Sequence, residues 1–322
     1  MSQPTFSFTT TAEEVATAFA NEIQGKNVLI TGTSLNGIGF ETARVLAKHA
    51  NIVFITGHNS DRLKLAEETI RAEVPTAKLR PIILDLSSLA AVRKAAAEIN
   101  GFPEHLHVLI HNAGATVSHF KLTVDNLENQ VATNHIGPFL LTKLLTPKIL
   151  AARTELYTPR VVFVSSIGHG MGTGVNFETL GRPDPTLYTP KDAYYQSKAA
   201  NVLSAIELSK RSKGQIKSYS LHPGAIFTNI MQKEEGVTQM QEAGMLDADG
   251  QPISDRPWKT LGQGAATTLV AAFDPRINET PGAYLDNCIV ANQLISSHCS
   301  DPANGERLWT LTEQIIGETF TF

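Results

Sequence analysis

Only two cysteines, Cys288 and Cys299, occur in this 322-residue sequence. Two thiols cannot make a disulfide framework or, alone, a structural zinc site, so a reducing, cytoplasmic setting is expected. Charge is sparse as well: charged residues are 18% of the chain, against about 25% in an average soluble protein. A basic excess is missing, the formal net charge being −4. A surface that tracks phosphates would show such an excess, so no nucleic-acid partner is expected. No stretch approaches the roughly 18 apolar residues of a membrane span. Residues 1–25 are polar and acidic, unlike a signal or transit peptide. Apolar residues, by contrast, reach 42%, enough for a large core and too many for a disordered chain.

Those apolar residues fall into short β-branched runs: Asn27–Thr31, Asn51–Thr56, Pro81–Leu84, His107–His111, Arg160–Ser165 and Lys217–Leu221. Continuous apolar runs suit strands buried on both faces of a parallel sheet. Between them lie helical patterns near 38–49, 60–73, 88–100, 124–151 and 192–212, with Asp61 and Ser88 where N-caps are expected. The alternation predicts an α/β, doubly wound, mostly parallel sheet with helices on both faces. No linker divides the chain, so one domain is expected over 1–322, with 1–25 as an N-terminal extension. Two irregular segments, 167–193 and 225–262, are long enough to be functional loops.

The first strand runs through Thr31-Gly32-Thr33-Ser34-Leu35-Asn36-Gly37-Ile38-Gly39 into a helix. Glycines at such a junction let the backbone approach a pyrophosphate, and the helix start offers unpaired N–H groups and the positive end of a dipole. No Lys-Ser/Thr follows the last glycine, which argues against a nucleotide triphosphatase. A dinucleotide is the better ligand.

Here the sequence resembles the short-chain dehydrogenase/reductase family, whose fingerprint is Thr-Gly, three residues, then Gly-x-Gly; this loop carries one residue more. The resemblance extends over about 26–316. Asp85-Leu86 is similar to the family's adenine-side acidic position. His111-Asn112-Ala113-Gly114 resembles its Asn-Asn-Ala-Gly element, and Pro223-Gly224-Ala225-Ile226-Phe227-Thr228 its Pro-Gly-x-x-x-Thr turn beside the nicotinamide. The resemblance implies a Rossmann fold of about seven strands. It also implies an NADP(H) site from Gly32, Thr33, Ser34, Asn36, Gly37, Ile38, His58, Arg62, Asp85, Leu86, Asn112, Ala113, Gly114, Tyr194, Lys198, Pro223, Gly224, Ile226 and Thr228. Gly57 stands where NAD-specific relatives carry an acidic residue, which leaves room for a 2′-phosphate.

Tyr194 and Lys198 are four apart on a helical pattern, so their side chains share a face; Tyr195 has no lysine at that spacing. A cation at about 4 Å, with an effective dielectric of about 20, would favour the phenolate by up to about 4 kcal/mol. The expectation is a tyrosine able to exchange a proton with a substrate oxygen near neutral pH. The resemblance adds Ser166, which would hydrogen-bond the substrate oxygen, and Asn134, which would position a water beside the lysine, completing a tetrad.

Ten histidines show no metal-binding pair with a nearby acid, and Asp247-Ala-Asp249-Gly250 lacks the remaining ligands of a calcium loop, so no metal is expected. Ser166 and Tyr194 are 28 positions apart, and this spacing, with the Gly-rich 167–175, resembles the retinol dehydrogenase and WW-domain oxidoreductase branch, its fungal members especially. That branch prefers lipophilic alcohols, aldehydes and ketones. Met171, Met231, Met240 and Met245 all fall in the two irregular segments, which suits an adaptable apolar lid. Met171, Tyr188, Phe227 and Met231 are therefore expected beside the substrate, with Ser166. Trp258 is a weaker candidate. The partner is a small carbonyl or alcohol, and the chain a monomer or a homodimer pairing through 124–151 and 192–212. The rival readings are cofactor-assisted epimerisation or a lyase step on the same fold, and a nucleotide-sensing regulator.

Overall fold

The computed structural model describes residues 4–228, 237, 240, 241, 244–255 and 257–322. Each apolar run becomes a strand: β1 (Asn27–Ile30), β2 (Ile52–Gly57), β3 (Leu79–Ile83), β4 (Val108–His111), β5 (Arg160–Val164) and β6 (Lys217–His222). Four short strands follow: β7 (Ala225–Ile226), β8 (Trp258–Lys259), β9 (Tyr284–Asp286) and β10 (Ile289–Val290). Among the described residues, eight strands form one sheet in the order β3-β2-β1-β4-β5-β6-β9-β10. Every pair in it is parallel except β9–β10. The count exceeds the expected seven by β10, a two-residue edge strand. It turns back from β9 through Asn287 and Cys288, both at positive φ (48° and 66°). That backbone makes a tight hairpin, but a cysteine is an unusual residue for it, so the sequence carried no turn signal.

Side chains alternate across the sheet. Val28, Ile30, Val53 and Ile55 pack beneath the helices Ala12–Ala18, Ile38–Leu46 and Leu261–Phe273. Leu29, Phe54, Leu109 and Val161 face the helices Leu89–Asn100, Gly137–Leu150 and Pro190–Arg211. Burial on both faces is why these strands read as unbroken apolar runs. The strand order reverses between β1 and β4, which opens a crevice at their carboxyl ends, the place where open α/β sheets bind ligands.

Several boundaries differ from the sequence reading. Asn59, not Asp61, caps the helix Ser60–Glu73, accepting from Arg62 N at 2.9 Å; Ser88 caps the helix Leu89–Asn100 as expected. The helix anticipated over 124–151 starts at Asn129, where the buried Glu128 carboxylate accepts from Gln130 N and Val131 N at 3.0 and 2.8 Å. It then passes through a π turn, Ala132–Ile136, before becoming regular. The C-terminal helix Pro302–Ile316 lies against Pro190–Arg211. His135 Nε2 meets Thr312 Oγ1 at 2.8 Å, and Trp309 packs edge-on against Phe139. Among the described residues, no helix is long and apolar enough to cross a membrane.

Candidate active site

Gly32 and Gly39 explain the phosphate loop. A Cβ on Gly32 would lie 2.8 Å from Ala113 Cα, and one on Gly39 would lie 2.3 Å from Asn112 Nδ2 and 2.4 Å from Gly32 O. Only bare backbone fits. The extra residue of the loop is absorbed by Asn36, whose φ of 58° is a left-handed conformation that asparagine tolerates better than most residues. Gly37 then starts the helix Ile38–Leu46 with no side-chain cap, so the first amides stay available to an anion.

Thr31, which sequence reasoning passed over, joins this loop to the β4 turn. Its Oγ1 accepts from Asn112 N and Ala113 N, both at 3.0 Å. The Asn112 amide donates to Thr31 O and Gly32 O at 2.9 and 3.0 Å. Asn112 thus braces the loop with its side chain, and Ala113 is tied to it through its N–H. His111 is a core residue: its Nε2 meets Thr142 Oγ1 at 2.7 Å, and burial pushes the imidazole down to about 3.

On the adenine side, Asp85 Oδ1 accepts from Ser87 N at 2.9 Å and Ser87 Oγ at 2.6 Å, while Leu86 is buried. Gly57 has space for a side chain, the nearest atom to an added Cβ being Leu63 Cβ at 3.8 Å. His58 and Arg62 are exposed. The Thr33 hydroxyl, expected to meet the cofactor, has a partner within the fold. It donates to Thr56 O at 3.2 Å and the residue is fully buried, so the hydroxyl is committed to the sheet.

At the end of β5 three side chains of the expected tetrad converge. Ser166 lies just beyond the strand, in extended conformation, and caps the 3₁₀ turn Ile167–Gly170 by accepting from Gly168 N at 3.0 Å. Its hydroxyl lies beside the Tyr194 ring, a Cβ built on Gly168 being 3.4 Å from the one and 3.3 Å from the other, and it acts to lower the phenol. Lys198 is buried and sits 5.6 Å from the Tyr194 ring centre, its Nζ donating to Val164 O at 3.0 Å. The neighbouring Ser165 points away, as strand alternation requires, and donates to Lys198 O at 2.8 Å.

The fourth member, Asn134, lies near Lys198, both facing the Cβ position of Gly114 at 3.7 and 3.5 Å. Asn134 sits in the π turn; its Oδ1 accepts from Ala115 N at 2.6 Å, and its Nδ2 donates to Ala115 O and Ser197 Oγ at 3.1 and 2.9 Å. Ser197 in turn donates to Tyr194 O at 2.7 Å. Asn134 therefore ties the backbone after Gly114 to the helix that carries Tyr194. Ser197 and Ala115 had no signal of their own in the sequence, since a serine in a helix and an alanine in a loop are unremarkable.

Burial dominates the electrostatics of the pair. Burial pushes the Tyr194 phenol above its ordinary value, and the Ser166 hydrogen bond opposes that rise. Lys198 Nζ is aimed at a strand carbonyl, and burial lowers its own ammonium to about 8.

The substrate candidates divide. Met171 is exposed at the end of the 3₁₀ turn. Phe227 packs edge-on against Trp258 and lines a cavity of about 460 Å³ with Val237, Gln241 and 248–251. Tyr188 lies elsewhere, in a cavity of about 130 Å³ shared with Phe120, Glu128 and Tyr195. Met231 is outside the described residues, as is much of the anticipated lid. Its two ends are clasped where β7 pairs with β8, Ala225 opposite Trp258 and Ile226 opposite Lys259. Pro223 and Thr228 are buried beside that pair. A Cβ on Gly224 would strike the Lys259 side chain.

The family model described as short chain dehydrogenase matches residues 26–177. A "Short-chain dehydrogenase TIC 32 A, chloroplastic" from Brassica napus is 34% identical, over 95% of this chain and 92% of that protein. This chain belongs to the short-chain dehydrogenase family. Mouse retinol dehydrogenase 12 is 31% identical over 92% of this chain and 88% of its own length. A zebrafish WW domain-containing oxidoreductase and the short-chain dehydrogenase/reductase prx1 of Penicillium roqueforti are similar at 33% and 32%. The resemblance to that branch therefore holds. Among solved structures, an uncharacterised protein from Mycobacterium paratuberculosis superposes with a TM-score of 0.70 at 29% identity, covering 94% of this short-chain dehydrogenase and 98% of that chain.

Proposed function

We propose that this short-chain dehydrogenase is an NADP-preferring oxidoreductase that interconverts a carbonyl and the corresponding alcohol on a small, lipophilic or aromatic molecule. The convergence of Ser166, Tyr194 and Lys198 at the end of β5 carries this reading. The donor set fits the cofactor: bare backbone at Gly32 and Gly39, uncapped amides from Ile38 onward, and no carboxylate at Gly57. When bound there, the nicotinamide would exchange the hydride with the substrate carbon. In the reducing direction, Ser166 and Tyr194 hold the carbonyl oxygen, and Tyr194 gives it a proton. The Lys198 ammonium favours the phenolate left behind, and Asn134 keeps the tyrosine helix in register. Ile167, Met171 and Leu294, all about half exposed, give the segments around Ser166 an apolar rim suited to a lipophilic substrate.

The chain is read further as one domain, cytoplasmic and monomeric. The helix Pro302–Ile316 lies on one of the two helices through which pairing was anticipated, and static light scattering at micromolar concentration would report the mass of one 34.9 kDa chain. The test of the main reading is a panel of aldehydes, ketones and alcohols with NADPH or NADP, followed by nicotinamide absorbance, with Tyr194→Phe as control. Cofactor-dependent turnover lost in that variant is expected. Product formed without net cofactor consumption would overturn it.

A further inference from the structure

His169 is buried, lies three residues after Ser166, and was not among the residues singled out by sequence. Its imidazole Nδ1 is 2.7 Å from Ser166 O and its Nε2 is 3.2 Å from Leu294 O. Carbonyl oxygens only accept, and a neutral imidazole has one N–H, so the shorter contact assigns the proton to Nδ1. Ser166 O also accepts from the His169 backbone at 3.1 Å. The His169 carbonyl, in turn, accepts from His298 Nε2 at 2.8 Å and from Ser296 Oγ at 3.4 Å. The ring rests against Tyr284 of β9, the centres 4.7 Å apart. One residue thus grips the backbone of Ser166 on one side and the segment Leu294–His298 on the other.

We propose that His169 is a positioning residue, whose Nδ1–H fixes the Ser166 carbonyl and so holds the Ser166 hydroxyl against Tyr194. This rests on the oxidoreductase reading of the site, but the brace itself does not touch substrate or cofactor. The physical need is plain. Ser166 stands past the end of β5, between Ser165 N, which still donates to Leu221 O at 2.8 Å, and Ile167 N, which donates to His222 Nδ1 at 3.2 Å; its own carbonyl is held by His169, and the 3₁₀ turn that follows is too short to be rigid alone. A displacement of about 1 Å at a catalytic group can cost about 100-fold in rate.

Three variants separate the contacts. Asparagine places an amide nitrogen where His169 has Nδ1, glutamine places one near Nε2, and leucine offers neither. In carbonyl reduction, His169→Leu and His169→Gln are expected to lose about 10- to 100-fold in kcat with cofactor Kd unchanged. His169→Asn should stay within about threefold of the parent. Alcohol oxidation adds a readout that a purely structural role would not move. Loosening Ser166 removes the hydrogen bond that lowers the Tyr194 phenol, so the pH limb of the Leu and Gln variants should move to higher pH. If leucine prevents folding, the Asn and Gln pair still decides. Equal activity in all three variants, Asn as impaired as Gln, or an unmoved limb would overturn the proposal. If the parent turns over no carbonyl, the functional reading has failed instead. Amide exchange over Ile167–Gly170, faster in Gln than in Asn, would then judge the brace by itself, and equal rates would overturn it.

Discussion

The cofactor side and the substrate side of this site are built from different material. On the cofactor side, the ends of β1, β2 and β4 set the geometry, and the backbone is packed bare: a Cβ on Gly32 or Gly39 would collide with backbone or with Asn112, whose side chain braces the loop. On the substrate side, irregular segments carry the walls, and what holds them is long-range and made by side chains. Examples are Ser197 to Asn134, His169 to Leu294, and Tyr188 to His119. Backbone geometry is written locally in glycines and apolar runs, whereas a wall made of distant side chains leaves no local mark.

The largest expected effect lies where the two sides meet. Tyr194→Phe keeps the ring and removes the proton donor, so turnover should fall at least about 100-fold with cofactor affinity nearly unchanged. Tyr195→Phe, whose ring faces Gly168 and Gly172, should stay within a few-fold. Steady-state rates and cofactor titrations on both variants check this; the opposite ranking would move the catalytic face of the helix Pro190–Arg211 by one residue.

A matched pair of methyl groups sharpens the contrast. Gly39→Ala forces an atom to within 2.3–2.4 Å of Asn112 Nδ2 and Gly32 O, and the second of these is backbone. A cost of about 1–3 kcal/mol is expected as weaker cofactor binding, roughly 5- to 160-fold in Kd. Gly168→Ala meets Tyr195, Tyr194 and Ser166 at 3.2–3.4 Å, which demands shifts of only a few tenths of an ångström. There the loss should fall on kcat, about tenfold, with Kd intact. Fluorescence titration with the reduced cofactor separates the two; a Gly168→Ala variant that weakens cofactor binding would erase the distinction.

This division also describes what could be read in advance. The strands, the phosphate loop and the places of Ser166, Tyr194 and Lys198 were legible, because each rests on a periodic run or a short motif. The π turn was not, since its widened backbone leaves the residue pattern of an ordinary helix. Nor was the direction of the Tyr194 shift, because it follows from how deeply the fold buries the phenol. Thr33 looked available as a cofactor donor until its hydroxyl proved to be spent on Thr56 O. A substituent's type is in the sequence; its partner is not.

Lys198 makes the pH dependence a test of the same point. Its ammonium is brought down to about 8 by burial, so it loses its proton before an exposed lysine would. Carbonyl reduction needs both the Tyr194 phenol and the Lys198 cation. The rate should therefore hold below about pH 8 and fall above it, approaching tenfold per pH unit for one deprotonation. Lys198→Arg, which stays charged, should remove that limb even if it lowers the plateau. A profile flat to pH 10 in the parent would mean that this lysine keeps its proton far above the value that burial gives it.

The smallest effect is the choice between NADP and NAD. At the end of β2, NAD-specific sites present a carboxylate to the ribose hydroxyls, and here Gly57 presents none. The groups left to meet a 2′-phosphate are the half-buried Ser34 and the exposed His58 and Arg62, the latter two working through water; Thr33 is withdrawn into the sheet. The preference for NADP should accordingly be small, about fivefold in kcat/KM, or about 1 kcal/mol, and it should shrink with salt. Gly57→Asp is a clean probe because an added Cβ meets only Leu63 at 3.8 Å and the backbone φ there is not left-handed. The carboxylate would both accept from a ribose hydroxyl and repel the phosphate, reversing the ratio without disturbing the fold. Parallel kcat/KM measurements with NADPH and NADH on parent and variant decide it. A parent that favours NADH would show that β2 does not select the cofactor through the missing charge at Gly57.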